Sequence, residues 1–419
     1  MHDDVATSEV ALTGQRERPR RPGGPIGRGL LRLADALARR NEIGGLRLTL
    51  PSGATSIIGA PTTTAEAELR LRSWRALAQI ARRGALGFAE SYMDGDVECR
   101  DLKAAFELYM ANEPQIRRAM PRLNRTRRGD RAFHSGRSNT LSGSRRNIAD
   151  HYDLGNEFYG RWLDPSMLYS SGIYGDGAVA LEAAQARKVE RILDALDIEP
   201  GASLLEIGCG WGALAEAAAR RGANVRAITI SEQQLRASRE RIAAAKLSDC
   251  AHVEFEDYRN TMGRFDRLVS VEMIEAVGEE NWPLFFETIS GRLAPGGTGV
   301  IQAITIREDA FEGYRANPDF IQRYIFPGGM LPTIELMRAR AHTAGLSFET
   351  IERFGSSYAL TLAEWRRRFE AAWPEIAALG FDERFRRMWR YYLTYCEVGF
   401  EHGLIDVGLY RLRKPASGG

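Results

Sequence analysis

The segment Leu205-Glu206-Ile207-Gly208-Cys209-Gly210-Trp211-Gly212 sets an acid and three alternating glycines between an apolar run and a segment with helical spacing. Glycines at a strand-to-helix joint let the backbone turn sharply and admit a ligand with no Cβ in its way. The dinucleotide fingerprint spaces its glycines as Gly-x-Gly-x-x-Gly and seats a pyrophosphate on the helix N-terminus. Here the spacing is Gly-x-Gly-x-Gly, and Glu206 stands two residues before the first glycine. An acid at that point repels pyrophosphate but suits an ammonium or a ribose hydroxyl, which favours S-adenosylmethionine over a nicotinamide cofactor. Thr229-Ile230-Ser231 ends the next apolar run, with Glu232 and Gln234 opening the following helix, and Asp257-Tyr258 follows the third run. A polar or acidic side chain there can accept the adenine amino group, and an aromatic can stack on its ring. The expected cofactor contacts are therefore Glu206, Gly208, Gly210, Trp211, Gly212, Thr229, Ile230, Gln234, Asp257 and Tyr258.

Elements that could hold these residues alternate in the expected order. A helix through Lys188 and Leu196 ends at Pro200-Gly201, and a strand over 203–207 leads into the glycine loop. Helices over 213–220 and 231–245 then alternate with strands over 225–230, 253–255, 267–271 and 299–304. This pattern predicts an α/β fold with a mostly parallel sheet covered on both faces. Upstream, residues 30–38 and 65–81 read as helices, 45–50 alternates like a strand, Pro51-Ser52-Gly53 reads as a turn, and 102–110 reads as a helix. The predicted organisation is a disordered tail over 1–28, a small α+β domain over 29–112, a basic linker over 113–146, and the larger domain over 147–419.

With 419 residues, 44% of them hydrophobic and 27% charged, the chain is long enough for two globular domains. The net charge of +2 implies no particular partner, but residues 117–146 hold ten arginines and one acid, Asp130. Such a block attracts phosphate, from an anionic membrane surface or from nucleic acid. It lacks interleaved aromatics for base stacking, and no Asn/Asp-Pro-Pro-Tyr loop follows the fourth strand, which argues against a nucleic-acid partner. The cysteines at 99, 209, 250 and 396 are scattered, without metal-ligand spacing, and fit a reducing cytoplasm. No metal is expected; His151-Tyr152-Asp153 has no second ligand set. With Asp3 and Asp4 and no apolar stretch near residue 1, no signal peptide is expected, and no run is long enough to span a bilayer, so any membrane contact is expected to be peripheral, at the inner face. Residues 384–400 interleave arginines with Met388, Trp389, Tyr391 and Tyr392, which reads equally as a membrane-contacting helix or an amphipathic core helix.

Further motifs carry a resemblance. They are His151-Tyr152-Asp153-Leu154-Gly155-Asn156, Asp164-Pro165-Ser166-Met167-Leu168-Tyr169-Ser170-Ser171, Phe265-Asp266-Arg267, Ser270-Val271-Glu272-Met273-Ile274-Glu275, Tyr324-Ile325-Phe326-Pro327-Gly328-Gly329, Phe354-Gly355-Ser356-Ser357-Tyr358 and Ala372-Trp373-Pro374-Glu375. Together with the glycine loop they resemble the cyclopropane fatty-acyl-phospholipid synthases, a group that includes mycolic-acid cyclopropane synthases and fatty-acid methyltransferases. The resemblance is nearly continuous over 147–413, and residues 1–110 resemble the smaller lipid-side domain of the longer members. It implies a Rossmann-like class I methyltransferase with a seven-stranded sheet and a helical cap over about 307–400. It adds Tyr169 and Ser170 to the cofactor contacts.

It also implies a reaction: the alkene of a phospholipid acyl chain attacks the sulfonium methyl, and a bound bicarbonate then removes a proton so that a cyclopropane closes. The bicarbonate site carried over is the Ser171 backbone, Glu275, Gln302, Ile304 and Tyr358, with Tyr169, Tyr324, Phe326 and Tyr358 as aromatic candidates facing the cation. Homodimers are common in the group. Ser171 stands where members commonly have Cys, Gln302 where they have His, and Ala276 where a His often follows the glutamate. Gln cannot shuttle protons as His does. Methyl transfer is therefore a firmer expectation than ring closure; hydride shift before proton loss would instead give a methyl- or methylene-branched chain. A non-catalytic lipid-binding protein is the alternative of another class.

Overall fold

The computed structural model describes residues 44–59, 67–113, 154–175 and 180–416. The expected tail over 1–28, the helix over 30–38, the arginine block at 117–146 and His151-Tyr152-Asp153 lie outside them.

The alternating run at the start of the described chain forms β1 (Gly45–Thr49), which turns back into antiparallel β2 (Thr55–Gly59). The turn is closed by Gly53, which donates its N–H to the Leu50 carbonyl from a φ of 81° that few other residues adopt. β3 (Ala67–Leu71) runs parallel to β1, and β4 (Val97–Cys99) runs antiparallel to β3, giving the order β2-β1-β3-β4. The single helix expected over 65–81 is therefore two elements. Ala67 and Leu71 are buried while Glu68 and Arg70 are exposed, a period of two that belongs to a strand despite its helix-favouring residue types. The helix Trp74–Arg83 starts only afterwards, where the Ser73 side chain accepts the Ala76 N–H. Helices Ala85–Met93 and Leu102–Ala111 complete this unit.

The second sheet is built from β5 (Ser203–Ile207), β6 (Asn224–Thr229), β7 (Ala251–Phe255), β8 (Phe265–Val271), β9 (Leu293–Ile306), β10 (Ser347–Arg353) and β11 (Ile405–Arg413). Its order is β10-β11-β9-β8-β5-β6-β7, with only β11 running against the rest. This is the seven-stranded, mostly parallel sheet of a Rossmann-like class I methyltransferase. Leu204, Leu205 and Ile207 of central β5 are all buried, as expected for a strand covered on both faces. The chain order reverses beside β5, so a crevice opens at the carboxyl ends of β5 and β8, where ligands of open α/β sheets bind. The helix Leu181–Leu196 covers one face, turning Lys188 inward among Leu181, Ala184, Val189 and Ile192.

Over the crevice lie helices from two excursions, one after β9 and one between β10 and β11. The helix Gly355–Ala371 packs against the helix Glu383–Glu401. The latter is a core helix: Trp389, Tyr391, Tyr392 and Leu393 are buried, and Arg386 and Arg390 both bind Glu370 at 2.6 Å. Its arginines are thus paired internally, and its aromatic face is spent on packing, with Phe106 edge-on to Tyr391 at 5.0 Å. The first unit is also tied to this helix by Lys103, which donates to Glu397 at 2.8 Å and to Glu401 at 2.7 Å. No helix among the described residues is long and apolar enough to cross a membrane.

Candidate active site

Gly208, Gly210 and Gly212 all have positive φ (82°, 53° and 83°), so the loop after β5 takes a path closed to most residues. Gly208 and Cys209 both donate their N–H groups to the Ile228 carbonyl, which clamps the loop against β6. A Cβ on Gly210 would meet nothing within 4 Å, whereas one on Gly212 would press on Ser238 at 3.0 Å. Gly210 thus lies against open space, and Gly212 permits close packing of the helix Glu232–Ala244.

One cavity of about 1110 Å³ begins at this loop. Its walls include Tyr169, Ser170, Glu206, Gly208, Gly210, Trp211, Thr229, Ile230, Gln234, Asp257 and Tyr258, eleven of the twelve expected cofactor contacts; Gly212 is set back behind it. Glu206 is buried, its Oε2 has no hydrogen-bond partner, and burial raises its pKa against the pull of Lys188. An unsatisfied acceptor in such a place suits a ligand ammonium or hydroxyl. Asp257 is already gripped by Arg259, whose Nε lies 2.8 Å from Oδ1 and whose other nitrogen lies 2.7 Å from Oδ2. Thr229 donates to Gln234 Oε1 at 2.9 Å, and Trp211 Nε1 donates to Asn156 at 2.8 Å. These contacts fix the side chains before any ligand arrives.

Deeper in the same cavity stand two carboxylates, Glu272 and Glu275, on the turn that follows β8. The residues expected to surround Glu275 divide between them. Ile304 N–H donates to Glu275 Oε1. The Ser171 N–H and Gln302 Nε2 instead donate to Glu272 Oε1, at 2.9 and 2.7 Å, and the Tyr358 hydroxyl donates to Glu272 Oε2 at 2.7 Å. Ser171 and Gln302 accordingly lie behind Glu272, while Glu272, Glu275, Ile304 and Tyr358 face the cavity. Burial, and after it the neighbouring Glu272, pushes Glu275 up to about 8, and its Oε2 has no partner. Burial also raises Glu272, but the Tyr358 hydroxyl, the Ser171 N–H, Lys188 and Gln302 all pull the other way. Glu275 is therefore the neutral member of the pair near pH 7, and Glu272 the better candidate for the charged one. Glu272 and Lys188 had no assigned role in the sequence reading. The readable signals were an acid three residues before Glu275 at a strand's carboxyl end, and a lysine on the apolar stripe of its helix.

Beyond the carboxylates the walls turn apolar. Ile321, Phe326, Met330, Tyr392 and Phe400 are followed by Leu46, Ile58, Leu69, Ile80 and Phe88 of the first unit. Tyr169 and Tyr358 face this space, whereas Tyr324 braces its wall by donating to Glu90 at 2.6 Å.

Residues 140–409 match the family described as mycolic acid cyclopropane synthetase. The chain belongs to that family. It is similar to tuberculostearic acid methyltransferase UfaA1 of Mycobacterium tuberculosis, 37% identical over 397 residues and 92% of each chain. It is also similar to the cyclopropane-fatty-acyl-phospholipid synthase of Escherichia coli, 34% identical over 348 residues, 80% of this chain and 85% of that one. Of solved structures, mycolic acid cyclopropane synthase CmaA1 complexed with SAH and CTAB superposes with a TM-score of 0.61 at 29% identity, covering 64% of this chain and 98% of that one. As a mycolic acid cyclopropane synthetase family member, the chain is an S-adenosylmethionine-dependent methyltransferase, and the glycine loop with the orphaned Glu206 oxygen fits that methyl donor. Bicarbonate does not fit the same test: three of the donors expected to hold it, the Ser171 N–H, Gln302 and the Tyr358 hydroxyl, are already bound to the Glu272 carboxylate, and the Ile304 N–H is bound to Glu275.

Proposed function

We propose that this methyltransferase transfers a one-carbon unit from S-adenosylmethionine to the cis double bond of an unsaturated phospholipid acyl chain. The observation that carries this reading is the continuity of one cavity from the glycine loop, past the carboxylates, into a hydrocarbon-lined end. At about 1110 Å³ it is somewhat larger than ordinary ligand pockets, and most of its surface is apolar, as a hydrocarbon acceptor needs.

S-adenosylmethionine supplies an electrophilic methyl on a sulfonium. An alkene is a weak nucleophile, so the walls must hold it against that methyl and exclude water that would trap the cation. Tyr169, Tyr358 and Phe326 line the cavity, and aromatic rings there suit a positive charge on the chain. Proton loss then gives a cyclopropane or, after hydride shift, a methylene branch. The branched outcome is the second reading. It is supported by Gln302 standing where the resemblance places His, and by similarity along 92% of both chains to a protein named a tuberculostearic acid methyltransferase. The arginine block at 117–146 supports approach to an anionic membrane surface.

The test is mass spectrometry of unsaturated phospholipid vesicles incubated with protein and methyl-deuterated S-adenosylmethionine. The expected result is a one-carbon gain confined to unsaturated acyl chains, with two deuteriums retained; NMR then separates ring from methylene. Label on the head group with unmodified acyl chains would overturn the reading.

A further inference from the structure

We infer that Glu272 is this enzyme's own proton acceptor, a built-in carboxylate standing where a bound bicarbonate would otherwise be held, so that turnover needs no bicarbonate. The inference rests on the acyl-chain reading above and deepens it. Three donors from separate parts of the fold converge on this one side chain: the Ser171 N–H before the helix Leu181–Leu196, Gln302 on β9, and Tyr358 on the cap helix Gly355–Ala371. A planar oxyanion such as bicarbonate would use the same donors, and the Glu272 carboxylate offers them a planar, singly charged pair of acceptor oxygens. The site is thus filled covalently.

The backbone points the same way. Glu272 has a φ of 48°, a left-handed conformation that glycine adopts freely and a glutamate rarely does. Its N–H donates to the Gln302 carbonyl at 2.8 Å, which holds the turn in that shape. Strain of this kind persists where surrounding contacts over-determine it, and it gathers at functional sites. The carboxylate faces the cavity beside Glu275, whose neutral form adds no second charge.

The step balances without a further reactant. The alkene's π electrons form the new carbon–carbon bond to the donor methyl, the carbon–sulfur bond breaks, and the sulfonium leaves as a neutral thioether. A Glu272 oxygen then takes one proton from the cationic adduct, and that C–H electron pair closes the ring or forms the methylene double bond. Glu272 is left as the carboxylic acid and returns its proton to solvent after product leaves.

Two variants test this on the full-length enzyme, with S-adenosylmethionine affinity by calorimetry as the control for folding. Glu272→Gly removes the carboxylate at a φ that suits glycine and leaves an anion-sized space among the same donors. Glu272→Gln keeps that space filled. In decarbonated buffer the unmodified enzyme should lose no activity, and both variants should fall at least ~100-fold, the scale of losing a general base. Millimolar bicarbonate should restore Glu272→Gly severalfold and leave Glu272→Gln unchanged. Line broadening of ¹³C-bicarbonate by Glu272→Gly, and none by the unmodified protein, should report the vacated site independently of turnover. The inference is overturned if the unmodified enzyme slows in decarbonated buffer, if it broadens ¹³C-bicarbonate, or if Glu272→Gly stays active without added anion. These outcomes stand apart from failure of the acyl-chain reading, which would show as unmodified acyl chains with the bicarbonate resonance still telling the two proteins apart.

Discussion

At the scale of single residues, two buried carboxylates three positions apart differ because their neighbours differ. Glu272 receives three hydrogen bonds, whereas Glu275 receives one backbone N–H and has the charge of Glu272 beside it. Removing a donor should weaken the first without emptying the site. Tyr358→Phe is expected to lower kcat about tenfold, in line with one lost hydrogen bond to a charged group, while S-adenosylmethionine affinity stays within about twofold. Steady-state kinetics with calorimetry checks both. The second carboxylate sets a pH dependence. Because Glu275 is pushed from an ordinary 4.5 up to about 8 in the fold, the folded state holds its proton through a range where the unfolded chain has lost it. Its contribution to stability is complete below about pH 4.5 and drains away as the pH rises towards 8. Glu275→Gln should therefore lose less Tm than the parent between pH 5 and 8, measured by thermal melts. Glu206 has the same sign and remains, so the slope should flatten rather than vanish.

At the scale of elements, the glycine loop is shaped from two sides. Gly210 faces open space, while Gly212 lets the helix Glu232–Ala244 approach at Ser238. Gly212→Ala combines a left-handed φ of 83° with a Cβ 3.0 Å from Ser238, so it should destabilise by roughly 1–3 kcal/mol. A denaturant melt should show this even without cofactor, because the contact is protein on protein; a loss seen only in cofactor affinity would mean Gly212 touches the ligand directly. The sequence displayed these elements unevenly. The helices over 188–245 and the five strands over 203–304 followed from clean periodicity, since central strands buried on both faces and amphipathic helices leave strong signals, whereas β10 and β11 did not. The run 65–81 misled because residues that favour helices occupy a strand, where pairing with β1 and β4 outweighs propensity. The two readings of 384–400 could be separated only by seeing its arginines paired to Glu370 and its aromatics packed.

At the scale of the whole molecule, the first unit closes the far end of a cavity whose near end lies in the methyltransferase sheet. Tyr324 to Glu90 and Lys103 to Glu397 join the two, and Glu397 is almost wholly buried, so that link is costly to break. Acyl-chain length should accordingly be measured by the first unit. Ile80→Trp, on the part of the cavity wall that the first unit supplies, is expected to reduce turnover of lipids with long acyl chains severalfold more than of short ones, leaving S-adenosylmethionine affinity unchanged. Competition between vesicles of two chain lengths reads this directly. An equal loss on both would place the chain's end elsewhere.

The sequence alone determined the fold class, the cofactor loop and the family, because glycine spacing, strand and helix periods and short motifs are local properties of the chain. It also singled out Ser171, Gln302, Ile304, Tyr358 and Glu275 as candidates. Only the tertiary structure decided which of them meet. Ser171, before the helix Leu181–Leu196, Gln302 on β9 and Tyr358 on the cap helix are far apart in the chain and meet at the turn after β8, so no local pattern could show that their hydrogen bonds end on Glu272. A side chain's partner is fixed by how the elements pack, and a local motif does not carry that information.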